Sequence, residues 1–316
     1  MNENLATQIE KALTQTYGVE VEMNNITREK AAKTAATFFG TGRYEYTAGR
    51  NGYETWSAWD AEGREFKFSK DVSIAGPESQ KCELVTPLLG YGDMPLLQEL
   101  IRQLRHAGAK SSASRGCGIH IHCTEEGHTP QSLRNLANLM ASHEKLLVDA
   151  LGIDSYRTAR YCKTVDPRFL AQLNKKKPKT FEQLSDIWYT TQGGTVGRYA
   201  HYHESRYSML NYHSFFTGKG IEFRLFQFDE PTEDRLNGLN AGQLKAYIQL
   251  CLLLCQMAKE VKTASPKPQQ NENPKYAMRT WLLRLGFIGE EFATAREVLT
   301  KRLAGDASFR NGRTAL

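Results

Sequence analysis

A short alternating segment constrains the fold of this chain more than any other feature. In Gly118-Ile119-His120-Ile121-His122, apolar and ionisable residues alternate strictly. Successive side chains of a β-strand point to opposite faces of the sheet, so the two histidines share one face and the two isoleucines the other. The segment therefore predicts a strand with one apolar face and one face that carries two imidazoles.

Three further segments show the same division, in Gly18–Met23, Cys82–Thr86 and Ile221–Leu225. The ionisable side chains on their polar faces are Glu20, Glu22, Glu83, Glu222 and Arg224. If these strands share one sheet, the carboxylates lie close together and raise each other's pKa unless a cation binds. Carboxylates with imidazole suit Mg²⁺ or Mn²⁺, whereas structural zinc prefers closed Cys/His tetrahedra. The four segments together predict a divalent metal site.

The rest of the chain mixes helical and strand patterns. Apolar residues recur at helical spacing after Pro95 and again from Thr129 to Gly152. Segments Tyr207–Phe215 and Gly220–Phe228 predict a hairpin, and a helix is expected from about Glu233 to Thr263. Antiparallel strands interspersed with helices indicate an α+β fold with helices packed on one face of the sheet.

One composition shift divides the chain of 316 residues. Residues 265–274 are rich in Pro, Gln and Asn, which predicts a linker between a catalytic domain (1–264) and a C-terminal helical extension (275–316). The net charge is +6, and the largest basic run, Lys175–Lys179, is expected in a loop. Without a recognisable nucleic-acid-binding motif, this run does not favour a nucleic-acid partner.

Cysteine usage and hydropathy bear on location. The six cysteines include no C-x-x-C pair, and the N-terminus does not resemble a signal peptide, so a reduced cytoplasmic setting is expected. The most apolar stretch, Tyr247–Ala258, is interrupted by Gln249 and Gln256. It is too short and too polar to span a bilayer, so we expect a buried helix and no membrane association.

Six motifs, taken in order, resemble those of the amidoligase family, which is related to glutamine synthetase and glutamate–cysteine ligase. They are Gly18-Val-Glu20-Val-Glu22, Asp71-Val-Ser73, Glu83-Leu-Val-Thr86-Pro87, Gly118-Ile-His120-Ile-His122, Arg206-Tyr207 with Asn211, and Ile221-Glu222-Phe223-Arg224. The resemblance implies a curved antiparallel sheet of the glutamine synthetase catalytic type, with helices on its convex face. It also implies ATP-dependent joining of a carboxylate to an amine through an acyl phosphate.

The resemblance assigns roles to single residues. The expected ligands of two Mg²⁺ or Mn²⁺ ions are Glu20, Glu22, Glu83, His120 and Glu222, with Glu22 also counted as catalytic. By the same analogy, Arg224 would hold the γ-phosphate or the reacting carboxylate, and Arg206 would neutralise the acyl phosphate. His122 and Asn211 are the expected contacts to nucleotide or phosphate. Apart from the resemblance, the glycine-rich loop that contains Gly193 and Gly194 is a candidate to close over the phosphates.

The partners implied are a carboxylate-bearing amino acid, peptide or protein and an amine donor; the oligomeric state stays open. One departure concerns Val72, which stands where the family commonly has glycine in an Asp-Gly-Ser turn. A β-branched residue does not tolerate the positive φ that glycine allows. The roles of Asp71 and Ser73 therefore do not transfer directly.

Three alternatives compete with this reading. The H-x-H motif followed by Glu126 also resembles the first metal motif of a cupin, but the long helix predicted from Thr129 does not fit a jelly roll. A guanidino-type phosphotransferase has a related sheet without this metal-ligand set. A binding protein that has kept the sheet and lost catalysis is the third alternative, and the completeness of the charged set counts against it.

Overall fold

The computed structural model of the protein describes residues 3–48, 52–233, 238–268 and 272–309. The strands are β1 (Tyr17–Met23), β2 (Tyr44–Tyr46), β3 (Trp56–Trp59), β4 (Glu65–Ser69), β5 (Cys82–Val85), β6 (Ile119–Cys123), β7 (Leu210–Asn211) and β8 (Ile221–Phe226). The helices are α1 (Glu3–Leu13), α2 (Arg28–Phe38), α3 (Met94–His106), α4 (Pro130–Leu151), α5 (Ser155–Arg160), α6 (Pro167–Lys176), α7 (Phe181–Thr191), α8 (Tyr212–Phe216), α9 (Ala241–Glu260), α10 (Pro274–Leu285) and α11 (Ala293–Thr300).

The chain divides into two compact units. The first, here called the helical unit, comprises Met1–Gln15, His122–Leu225 and Ala246–Leu316. The second, here called the sheet unit, comprises Thr16–Ile121 and Phe226–Lys245. The predicted mixture of antiparallel strands and helices is confirmed.

The sheet unit is built on an antiparallel sheet in the order β2-β3-β4-β5-β1-β6. On β1 the side chains of Val19, Val21 and Met23 are buried, as the alternation predicts. Helix α2 packs on β3 and β4, and four buried alanines line its inner face. Small side chains let a helix approach a sheet closely, so α2 covers this part of the core.

The helical unit is organised around long helices with clear end signals. Helix α4 begins after Thr129, whose side chain accepts a hydrogen bond from the backbone N–H of Ser132, and ends at Gly152 in the left-handed conformation. The hydroxyl of Tyr212 donates to the backbone carbonyl of Leu133 at 2.6 Å. This bond satisfies a buried polar group and ties α8 to α4.

The predicted hairpin is wrong in its first strand. The strand β7 that pairs with β8 is limited to Leu210–Asn211, and helix α8 starts at once because the Asn211 side chain accepts hydrogen bonds from the backbone N–H groups of His213 and Ser214. The basic run Lys175–Lys179 is also not simply a loop. Its first two residues form the last turn of α6, which Phe169 and Leu173 anchor in the core.

Helices α5, α6 and α7 lie in a region where the residue pattern predicted no helix or strand. Helix α9 is shorter than the predicted Glu233–Thr263; it starts at Ala241 because the Asn240 side chain caps the backbone N–H groups of Gly242 and Gln243, and it ends at Glu260. Residues 234–237 of that prediction and 269–271 of the predicted linker lie outside the described residues. No helix in the described part of the chain is long and apolar enough to cross a membrane.

Candidate functional site

Two carboxylates of the sheet unit lie directly opposite each other. Antiparallel pairing of β1 with β5 sets Glu22 across from Glu83. Val21 on β1 and Leu84 on β5, the residues next to these glutamates, are buried in the core. Because side chains alternate along a strand, both carboxylates point to the other face of the sheet. Like charges directly opposite in a sheet destabilise it, which makes this pair a place where a cation would relieve repulsion.

Around Glu83 the sheet unit gathers two groups of oxygen and nitrogen ligands. In one group, ligand atoms of Glu20, Glu83 and His120 lie within 4.8 Å of one another. In the other, ligand atoms of Glu22, Asp71 and Glu83 do so. Glu83 belongs to both groups. Four of the five metal ligands expected from the sequence are therefore together in this unit, and Asp71 joins them.

The imidazole of His120 is held between the two carboxylates of β1. Its Nδ1 lies 2.8 Å from Oε2 of Glu20, and its Nε2 lies 3.9 Å from Oε1 of Glu22. A carboxylate at Nδ1 favours the tautomer with its proton there, which leaves the Nε2 lone pair as the ligand atom. The side chain is buried, at 5% exposure, so its orientation is fixed by packing as well as by Glu20.

Glu22 is positioned by the backbone that leads into β6. The N–H of Gly118 donates to Oε2 of Glu22 at 2.5 Å, while the backbone N–H of Glu22 donates to the carbonyl of Gly118 at 3.1 Å. Glu22 is 5% exposed. A buried carboxylate needs such charge-assisted donors, and this one holds Glu22 in a single orientation.

Asp71 reaches this group through a loop between β4 and β5. The loop is tied to the turn before β6: the N–H of Ala75 donates to the carbonyl of Arg115 at 2.8 Å. Gly116 has φ +68°, and a Cβ there would lie 2.8 Å from the carbonyl oxygen of Ser73. Only glycine permits this approach of the two backbones, which fixes the loop beside the carboxylates.

The turn at Asp71 forms without glycine. Oδ1 of Asp71 accepts hydrogen bonds from the N–H and the hydroxyl of Ser73, both at 2.6 Å. Val72 is not among the residues with positive φ, so the β-branched side chain is unstrained and points to solvent. The departure from the family's glycine therefore does not prevent the turn. Asp71 is thus a candidate ligand that the sequence motifs alone do not predict.

In the helical unit, the carboxylate of Glu222 is held by both of its oxygens. Arg224 Nη1 donates to Oε1 at 2.5 Å, and Asn211 Nδ2 donates to Oε2 at 2.6 Å. All three side chains are buried. Asn211 opposes Glu222 in the β7–β8 register, so pairing of these strands creates the contact. Asn211, expected to contact nucleotide, orients Glu222 in this structure.

Tyr189 and His213 lie beside this group, and burial shifts the pKa of both. Burial raises the pKa of Tyr189 to about 12 and lowers the pKa of His213. The Tyr189 hydroxyl lies 2.7 Å from Nδ1 of His213. Near neutral pH the tyrosine therefore keeps its proton and the histidine is uncharged, so the hydroxyl donates and the imidazole accepts. Tyr189 is buried and packs in the core.

The remaining predicted residues of the helical unit have local partners. His122 Nδ1 lies 3.2 Å from the carbonyl of Lys219, and Arg206 Nη1 donates to the carbonyl of His201 at 3.1 Å. Gly193 and Gly194 both have positive φ, and the carbonyl of Gly194 lies 3.1 Å from Nε2 of His203. The glycine loop thus packs against a histidine through its own backbone.

The donor set of the sheet unit fits a hard divalent cation. It consists of carboxylate oxygens and one imidazole nitrogen, and all six cysteines of the chain are free and buried. Oxygen-rich sets of this kind suit Mg²⁺ or Mn²⁺. Sharing of Glu83 between both groups is the arrangement that two ions bridged by one carboxylate would need.

The sheet unit thus brings together, on paired antiparallel strands, the carboxylates and the imidazole of three of the sequence motifs. The family model described as "putative amidoligase enzyme" matches residues 13–254, and the chain belongs to this family. The resemblance predicted from the six motifs is confirmed.

The chain has no match among curated proteins. Among solved structures it is similar to a bifunctional glutathione synthetase from Pasteurella multocida, with 14% sequence identity and a TM-score of 0.42. The similarity covers 96% of this chain and 49% of that chain, so the protein spans about half the length of that structure.

Proposed function

We propose that the protein is an ATP-dependent carboxylate–amine ligase that forms an amide or isopeptide bond through an acyl phosphate. The observation that carries the proposal is the pair of ligand groups that share Glu83. Membership of the amidoligase family supports the reaction class. We further propose that its sheet is of the glutamine synthetase catalytic type.

The chemistry explains why this set of residues is needed. Transfer of the γ-phosphoryl group to a carboxylate joins two anions, so positive charge must span the migrating group. Two Mg²⁺ or Mn²⁺ ions, when bound, would supply most of that charge. Their proposed ligands are Glu20, Glu22, Glu83, His120 and Glu222, with Asp71 added by its position.

The chain's own groups would bind and orient the substrates. We assign Arg224 to the γ-phosphate or the reacting carboxylate, because its planar guanidinium matches either anion. Arg206 would neutralise charge on the acyl phosphate, and His122, Asn211, Gly193 and Gly194 would contact nucleotide or phosphate. In the first step of the proposed reaction, the carboxylate oxygen attacks the γ-phosphorus and ADP leaves. A neutral amine then attacks the acyl carbon, phosphate leaves, and a carboxylate takes the amine proton.

The test is a screen of carboxylic acids and amines for Mg²⁺-dependent release of ADP and phosphate. Glu20→Ala, His120→Ala and Glu222→Ala are each expected to abolish turnover with little loss of folded protein. Glu125→Ala is the matched control, because Glu125 is an exposed carboxylate outside the predicted ligand set. Normal turnover by all three site variants would overturn the assignment, and release of AMP and pyrophosphate would indicate adenylation instead.

A further inference from the structure

A group of exposed and half-buried tyrosines and basic residues in the helical unit has, apart from Arg206, none of the roles assigned above. The rings of Tyr156 and Tyr161 are 6.0 Å apart, and those of Tyr161 and Tyr207 are 6.3 Å apart. Arg206 lies over the rings of Tyr202 and Tyr207. We call this contact chain the tyrosine–arginine patch; its members are Tyr156, Arg160, Tyr161, Lys163, Tyr202, Arg206 and Tyr207.

The patch lies in a strongly basic segment of the chain. Residues Ser155–Tyr207 contain ten Lys and Arg and four Asp and Glu, a net +6, which equals the net charge of the whole chain. Among the described residues, the side chains of Arg160, Lys163 and Arg206 have no carboxylate within 4.0 Å. Tyr156 and Tyr202 are 54% and 65% exposed. The patch therefore offers aromatic surface and uncompensated positive charge to solvent.

Backbone hydrogen bonds connect the patch to β8, the strand that carries Arg224. The N–H of Lys163 donates to the carbonyl of Tyr207 at 3.0 Å, and the N–H of Met209 donates to the carbonyl of Lys163 at 2.8 Å. The N–H of Arg224 in turn donates to the carbonyl of Met209 at 3.0 Å. Lys163 and Tyr207 of the patch are thus joined, through the backbone of Met209, to the strand that carries Arg224, the residue proposed to bind the reacting carboxylate.

We propose that the tyrosine–arginine patch binds the carboxylate substrate as an extended acidic peptide segment, an inference that rests on the proposed function. Every second side chain of an extended peptide lies about 6.6 Å from the last on the same face, which matches the ring spacings of 6.0 and 6.3 Å. Carboxylates on that face would meet Arg160, Lys163 and Arg206, and the tyrosine rings would pack on the peptide backbone.

The ring geometry favours a peptide over a single-stranded nucleic acid. Bases bind by stacking on open aromatic faces. Arg160 lies over the ring of Tyr156 at 4.8 Å and also donates to its hydroxyl at 2.6 Å, so one face of that ring is already covered. The guanidinium of Arg206 lies over the rings of Tyr202 and Tyr207, at 5.5 and 5.7 Å from their centroids. Adjacent rings meet edge to face, at 62° and 71°, and give no parallel series of stacking surfaces.

The experiment measures binding of a fluorescein-labelled peptide of alternating Glu and Gly by anisotropy, without nucleotide or metal. The double variant Arg160→Gln/Lys163→Gln is expected to weaken binding about tenfold, as the loss of two exposed ion pairs would. The matched control, Lys175→Gln/Lys176→Gln, removes the same charge from the end of α6 and is expected to stay within about twofold. A peptide with Gln in place of Glu is expected to bind at least about tenfold more weakly than the acidic one.

Three results would overturn the inference: no binding of the acidic peptide, equal weakening by both double variants, or tighter binding of an oligothymidylate of the same length. Circular dichroism of each variant separates loss of binding from loss of folding. Failure of the ligase function would appear in the ADP-release screen and not in this assay, because the binding measurement involves no turnover. If small amino acids support turnover while the acidic peptide does not bind, the ligase function stands and this inference fails.

Discussion

Glu22 and Glu83 face each other across the β1–β5 pair, and each belongs to a different strand whose other face is core. Placing two carboxylates opposite each other costs stability in the absence of a cation. Such local conflict is typical of sites that bind or react.

Glu83→Gln tests this conflict directly. Removing one charge from the pair is expected to raise the melting temperature of the metal-free protein by about 1 to 3 °C, because the cross-strand repulsion disappears. Addition of Mg²⁺ should stabilise the wild-type protein and have little effect on the variant. Differential scanning fluorimetry in the presence of EDTA or Mg²⁺ measures both. A variant less stable than wild type in EDTA would show that the pair is not repulsive.

Asn211 has two separable structural tasks. Its Nδ2 donates to Glu222, and its Oδ1 caps α8. Asn211→Ala removes both and is expected to lower the free energy of unfolding by about 2 to 3 kcal/mol. Asn211→Ser keeps an oxygen that can cap the helix and should recover about 1 kcal/mol of that loss. Equal unfolding midpoints for both variants in urea would contradict the capping role.

Two glycines before β8 form a matched pair for a backbone test. Gly218 and Gly220 have φ +77° and +78°, but a Cβ would meet nothing within 4 Å at Gly218 and would overlap the carbonyl oxygen of Cys123 at Gly220. Gly218→Ala should therefore cost about 1 kcal/mol, from the left-handed conformation alone. Gly220→Ala should cost at least about 2 kcal/mol more, since backbone must move. Similar stability of the two variants would show that the turn relaxes freely.

His128 predicts a pH dependence of stability. Burial lowers its pKa from 6.5 to about 3, so the unfolded state binds the extra proton first as the pH falls. Its contribution is complete above about pH 6.5 and is lost as the pH falls from there towards 3, with a slope of up to about 1.4 kcal/mol per pH unit. His128→Gln should flatten this part of the profile. Parallel wild-type and variant profiles from urea unfolding between pH 7 and 4 would refute the prediction.

Strands with one buried face were predictable from sequence, because alternation is a local property. The motifs at Glu20, Glu83, His120 and Glu222 all fall on strands of the structure. The site as a set was less predictable. Asp71 comes to the carboxylates through a loop that Gly116 lets approach, and no local pattern encodes that contact.

The predictions for α6 and β7 were wrong for local reasons. Helix α6 ends in lysines, whose charge resembles a solvated loop although Phe169 and Leu173 anchor the helix from within. At β7 an apparent strand pattern is cut short by one capping side chain, Asn211. The division of the chain at residues 265 and 275 into linker and extension stays a prediction.

The central claim is that the two ligand groups sharing Glu83 form the metal centre of a ligase. The direct measurement is Mn²⁺ binding by electron paramagnetic resonance, with Glu83→Gln compared with Glu29→Gln, an exposed carboxylate on α2. We predict two Mn²⁺ ions per wild-type chain and per Glu29→Gln chain, and binding at least about tenfold weaker for both ions in Glu83→Gln. Unchanged stoichiometry and affinity in Glu83→Gln would contradict the account.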